Sequence, residues 1–199
     1  MKPQRDIAPG ALLAGLTAFA SGPASGHAGT GLAGGFNMGF AHPLTGVDHL
    51  LAMIAVGLWG AVLGRPLIYA LPVVFPGVMV LGAVLGMLAI PLPSTELGIA
   101  LSVVVLGTCI ALSVRAPVWA AALIVGTFAL FHGYAHGREL PSAANPLGYS
   151  AGFVLATGLL HVFGIGVGFA NERPGGAAVT RAIGGLIGAA GVWFLMRAS

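Results

Sequence analysis

Six apolar runs, at about residues 29–64, 66–90, 96–114, 117–137, 146–170 and 178–197, are divided by short polar or turn-forming breaks. The breaks are Gly64-Arg65-Pro66, Pro91 to Thr95, Arg115-Ala116-Pro117, Arg138 to Pro146, and Asn171 to Gly176. A helix rises about 1.5 Å per residue, so crossing ~30 Å of hydrocarbon takes about 20 residues. The second to sixth runs therefore each predict one transmembrane helix. As a single helix the first run would reach roughly 54 Å, too long for one straight crossing and too short for two crossings with a turn. One net crossing with surplus residues predicts a broken or re-entrant span. Gly34, Gly35, Gly39, Pro43 and Gly46 supply the weak points and put the break at about His42 to Asp48. The expected fold is all-α: a polytopic transmembrane helical bundle of about six crossings with the first span broken or re-entrant.

Ahead of these runs, Lys2 and Arg5 precede a short apolar stretch from Ala11 to Ala20, followed by small residues and Pro23 up to Gly26. That order predicts a cleavable secretory signal peptide over residues 1–26, with a cut after Ala28 as the second option and an uncleaved short anchor as the alternative. Residues 27–199 then form a single transmembrane domain. Arg65, Arg115, Arg173 and Arg181 fall in the first, third and fifth breaks, which favours those breaks on the cytoplasmic side. Both signals put the mature N-terminus, and with it the C-terminus, on the periplasmic side of a bacterial inner membrane.

Composition agrees with a lipid-facing chain. Only 7% of residues are charged and 57% are hydrophobic, where a soluble domain carries about 25% charge. The 33 glycines suit close helix contacts, and Gly60/Gly64, Gly82/Gly86, Gly164/Gly168 and Gly184/Gly188 lie at the spacing of small residues on one helix face. A single cysteine, Cys109, excludes an intramolecular disulfide. The formal charge of +3 comes from scattered arginines, so nucleic acid is not an expected partner. The chain contains no phosphate-cradling loop, which excludes ATP-driven transport by this chain itself.

Histidines carry the chemistry. His42-Pro43-Leu44-Thr45-Gly46-Val47-Asp48-His49 puts two imidazoles and a carboxylate at the broken part of the first span. If a helix resumes after Pro43, Thr45 and His49 share a face. In the fourth run, His132 and His136 are one helical turn apart and can face one ligand, while Glu139 follows three residues after His136. Neutral imidazole binds divalent first-row metals, with carboxylates as ligands or orienting partners, and ionisable groups inside spans are functional by default. The bland alternative for each histidine is a hydrogen-bonded core residue. His161, alone in the fifth run, reads as a third-helix ligand, a proton acceptor or such a core residue. His27 becomes a metal-capturing end if the signal is cut before it. Asn37 and Met38 are weaker candidates, Arg138 reads as a helix anchor or carboxylate partner, and Glu96 is explained by Ser94 and the helix dipole. Gly133 follows His132, so the zinc-protease pattern is not met.

These motifs, together with the leader and the number of runs, resemble the HupE/UreJ proteins, nickel permeases associated with hydrogenase and urease maturation. The resemblance implies uptake of Ni²⁺, with Co²⁺ as the related cargo, through His42, Asp48 and His49 and through His132, His136 and Glu139. Metal would be collected outside by His27 and the second cluster, pass to the first near the midplane, and leave past His161. It implies no tightly bound cofactor and no enzymatic activity. The expected partners are a transition-metal ion, the lipid bilayer and, by resemblance alone, hydrogenase or urease maturation proteins, in a single copy or an oligomer. Two rival readings are a haem-binding electron carrier with axial histidines and a membrane scaffold with structural histidines.

Overall fold

A computed structural model describes residues 31–139 and 145–198; the signal peptide expected over residues 1–26 and His27 lie outside the described residues. Within them every regular element is helical. The helices are α1 (Gly31–Thr45), α2 (Val47–Leu63), α3 (Leu67–Met87), α4 (Thr95–Ala111), α5 (Val118–Glu139), α6 (Pro146–Gly168) and α7 (Gly176–Arg197), with one 3-10 turn at Phe169–Glu172. α3, α5, α6 and α7 are each long and apolar enough to cross a bilayer, and α1 and α2 are so as a pair bent by 81°. α4 has 17 residues, about 25 Å, and is shorter than α3, α5, α6 and α7. Large apolar side chains such as Leu123, Val162, Phe163 and Leu186 point outward, a surface made for lipid and not for water. The protein is a multi-pass membrane protein.

The break in the first span falls at Gly46, inside the expected segment, but the local geometry differs from expectation. α1 does not end at Pro43; it runs through it to Thr45. Proline removes a backbone donor, and the neighbouring His42 carbonyl takes bonds from the Thr45 hydroxyl (2.9 Å) and the Gly46 N–H (3.3 Å). Gly46 is extended, with φ −82° and ψ 104°, and its carbonyl already accepts the Leu50 N–H at 2.8 Å. Asp48, in the first turn of α2, accepts the His49 backbone N–H at 2.8 Å, filling one of the donors a helix start leaves open and placing negative charge at the positive end of the dipole. Because the break separates them, Thr45 and His49 do not share a helix face.

α2 is the central helix, buried almost continuously from Ala52 to Gly60 against α3, α4 and α6. Close backbone approaches give the directions. Gly39 meets Tyr149, Gly57 meets His161, and Gly168 meets Ala61, so α1 and then α2 follow α6 in ascending order. The pair is one kinked span parallel to α6. α3 and α5 are also parallel, with Gly82 against Leu130 and Gly86 against Tyr134; α4 and α7 are antiparallel, with Gly107 against Gly188 and Gly191 against Val104. Three of the four glycine pairs expected to pack do so in these seams. Gly64 does not: its φ of +77° and its N–H bond to the Gly60 carbonyl at 3.0 Å end α2, a backbone state that glycine adopts without a Cβ penalty.

These directions bring the starts of α1, α4 and α6 and the ends of α3, α5 and α7 to one end of the bundle, with the α1–α2 break set inward from it. Arg65, Arg115, Arg173 and Arg181 belong to the opposite end. There the Trp59 ring N–H donates to the Val114 carbonyl (3.2 Å) and Arg181 Nε donates to the Ala111 carbonyl (2.9 Å).

Candidate metal site

The two histidine motifs, separated by more than eighty residues, converge on one site. α1 delivers His42, the first turn of α2 delivers Asp48 and His49, and the last two turns of α5 deliver His132, His136 and Glu139. Gly133 and Gly137 alternate with the α5 histidines and lie against the backbone of α3, at Met79 and Ala83. That close seam turns His132 and His136 toward α2.

The ring of His136 sits 4.8 Å from that of His42 and 4.9 Å from that of His49, centroid to centroid, and the His49 and His132 rings are 4.7 Å apart. Glu139 Oε2 is 3.3 Å from His42 Nε2 and 3.9 Å from His136 Nδ1. One donor atom from each of His42, His136 and Glu139 lies within 4.8 Å of the other two. A first-row cation about 2.1 Å from each donor spans pairs up to about 4.2 Å apart, so a rotation worth roughly half an ångström closes the set. The sequence reading placed two sites in series, yet the structure shows one continuous cluster, because helix packing rather than chain order brings α1, α2 and α5 together.

Hydrogen bonds fix which nitrogens are bare. His49 Nδ1 is 2.9 Å from Asp48 Oδ1; an ionised carboxylate only accepts, so Nδ1 carries the proton and Nε2 holds the lone pair. His49 Nε2, His132 Nδ1 and both ring nitrogens of His136 are buried with no hydrogen-bond partner among the described residues. Buried polar atoms are normally satisfied, and imidazole nitrogens gathered beside two carboxylates are a donor set suited to a divalent cation.

Exposure falls steadily inward. The Glu139 side chain is 54% exposed, Asp48 36%, His42 33%, His49 12% and His136 7%. Asp48, His49 and Glu139 open on a cavity of about 530 Å³ that Glu96, Tyr134, Arg138 and Arg197 also line. Of the described carboxylates Asp48, Glu96, Glu139 and Glu172, all but Glu172 face it. Ser94 makes no side-chain cap bond at the start of α4, so that half of the expectation for Glu96 fails; the carboxylate does lie in the first turn, where the helix dipole favours it, and it also lines the cavity.

The sequence family described as HupE / UreJ protein matches residues 14–194. The chain belongs to the HupE/UreJ family. Protein HupE of Rhizobium leguminosarum bv. viciae is 45% identical over 175 residues, 87% of this chain and 92% of that relative. No solved structure matches the chain.

In this HupE/UreJ protein His161 stands apart from the cluster. It is 1% exposed on α6, both ring nitrogens lack a hydrogen-bond partner among the described residues, and the Phe75 ring lies 5.5 Å from it and 5.5 Å from His132. Phe75 therefore touches both His161 and the cluster. Asn37 and Met38 are exposed on α1, away from the site. Residues the sequence reading passed over are Phe75, Ser102, Tyr149 and Phe153. The Phe153 ring is 4.2 Å from that of His136, and Tyr149 is 5.9 Å from His42. Asn145, whose side chain accepts the Gly148 N–H at 2.8 Å, caps the helix that brings both. Nothing in an aromatic within an apolar run distinguishes it from ordinary packing.

Proposed function

We propose that this chain is a secondary permease that takes up divalent nickel, with cobalt as the related cargo, across the bacterial inner membrane, and that it is not an enzyme. The observation that carries this reading is the convergence of His42, His136 and Glu139 inside a bundle of apolar helices. Imidazole with carboxylate suits nickel, and the family membership favours it over zinc. The cavity end is periplasmic, so both mature termini are outside and the arginine-bearing connections face the cytoplasm. His27, at the end left by signal removal, would capture metal there. Hydrogenase or urease maturation proteins are the proposed recipients.

A hydrated cation enters between Asp48, Glu96 and Glu139, exchanges part of its water for His42, His136 and Glu139, and moves to His49 and His132. It then passes Phe75 toward His161. Two divalent ions about 5 Å apart repel by about 13 kcal/mol at an effective dielectric of about 20, so the cluster holds one ion at a time and a second arrival drives release. Cells expressing this chain should accumulate radioactive nickel from submicromolar medium above empty cells. The Asp48→Ala/His49→Ala double variant, at equal membrane abundance, should lose at least about tenfold of that gain. Parent and variant both matching empty cells would refute the permease.

A further inference from the structure

The Ser102 hydroxyl on α4 is fully buried and makes two contacts. It donates to the Ile99 carbonyl at 2.6 Å, and its oxygen lies 3.1 Å from His132 Nε2. A serine has one proton to give and a carbonyl has none. With the Ser102 proton on the Ile99 carbonyl, the bond to His132 runs the other way, from an Nε2–H to the hydroxyl oxygen. His132 is then held with Nδ1 unprotonated, and that nitrogen is buried with no hydrogen-bond partner among the described residues.

We infer that Ser102 is a positioning residue of the permeation path, fixing His132 in the Nε2–H form so that Nδ1 serves as a cation donor beside His49. This rests on the permease reading and extends it to a residue on a helix that contributes none of the cluster's histidines. The pattern repeats across the two rings, which pack edge to face with centroids 4.7 Å apart. Asp48 holds one nitrogen of His49 and leaves the other bare; Ser102 does the same for His132. A metal-ligating histidine almost always donates its second N–H to such a partner, which fixes the tautomer and the ring orientation. A histidine kept only for packing has no need of a bare buried nitrogen.

Two measurements on the purified full chain test this. Long-range nitrogen–proton NMR spectra with labelled histidine should show His132 as the Nε2–H tautomer in the parent and in Ser102→Thr, and as Nδ1–H or a mixture in Ser102→Ala. Nickel titration calorimetry should show Ser102→Ala weakening affinity about tenfold or more, with no further loss when it is added to His132→Ala, because a residue acting through His132 has no effect without it. An unchanged His132 spectrum in Ser102→Ala overturns the inference. So does an equal loss of affinity in both backgrounds, which marks a general packing defect. A parent that binds no nickel while its His132 spectrum still responds to Ser102 overturns the permease reading and upholds control of the ring by the hydroxyl.

Discussion

His136→Ala should weaken nickel binding by more than about a hundredfold without lowering the thermal midpoint of the metal-free protein. A hundredfold corresponds to about 2.8 kcal/mol. His136 is the hub of the cluster, in ring contact with His42, His49 and Phe153 and 3.9 Å from Glu139; truncating it removes a donor that no neighbour replaces. The stability half of the prediction follows from its buried ring nitrogens. A buried polar atom without a hydrogen bond costs about 1–3 kcal/mol; Nε2 has no hydrogen-bond partner among the described residues, and Nδ1 has only the Glu139 carboxylate at 3.9 Å. Deleting it forfeits packing against Phe153 but also relieves that cost, so the two effects roughly offset. Calorimetric titration and thermal unfolding in the same detergent measure both halves. Affinity kept, or affinity and stability lost together, would mean that His136 is a core residue and not a ligand.

Gly137→Val should strongly destabilise the protein. A Cβ at Gly137 meets the backbone of Ala83 on α3, and backbone cannot swing aside as a side chain can. Overpacking a tight contact costs about 1–3 kcal/mol, occasionally more, and valine adds two methyl groups to the clash. Forcing α5 from α3 also displaces His136 and Glu139, so nickel affinity falls with stability. Gly158→Ala is the control. Gly158, on α6, has open space around its Cβ position, and alanine there gains helix propensity of up to about 1 kcal/mol. The loss of folded protein on size exclusion after heating should be large for Gly137→Val and absent for Gly158→Ala. Equal behaviour would show that the α3–α5 seam is looser than the structure has it.

Much of this fold was legible in the sequence because bilayer physics leaves few options. Each uninterrupted apolar run of about crossing length became a helix, and the surplus in the first run became a break at Gly46. What stayed hidden was pairing. Apolar faces that all meet lipid or each other carry no mark of which helix they touch, so the parallel seams of α3 with α5 and of α6 with α1 and α2 could not be read in advance. The site shows the same division. Histidines and carboxylates stand out in an apolar chain, and His42, Asp48, His49, His132, His136 and Glu139 are visible there; that they form one cluster depends on the seams. Glu96 was explained away as part of a helix start, and Ser102 gave no signal at all, since a serine within a membrane helix ordinarily bonds its own backbone. Its second contact, to His132, exists only across helices.

The central claim is that donors from α1, α2 and α5 serve one ion. Nickel K-edge absorption of the purified, nickel-loaded protein, with the bound metal counted per chain, tests it most directly. One nickel per chain, with imidazole nitrogens and a carboxylate oxygen among its ligands, is the expected result, and His42→Ala and His136→Ala should each strip imidazole from that same ion. Two ions per chain, with each variant losing one and leaving the other untouched, would contradict it.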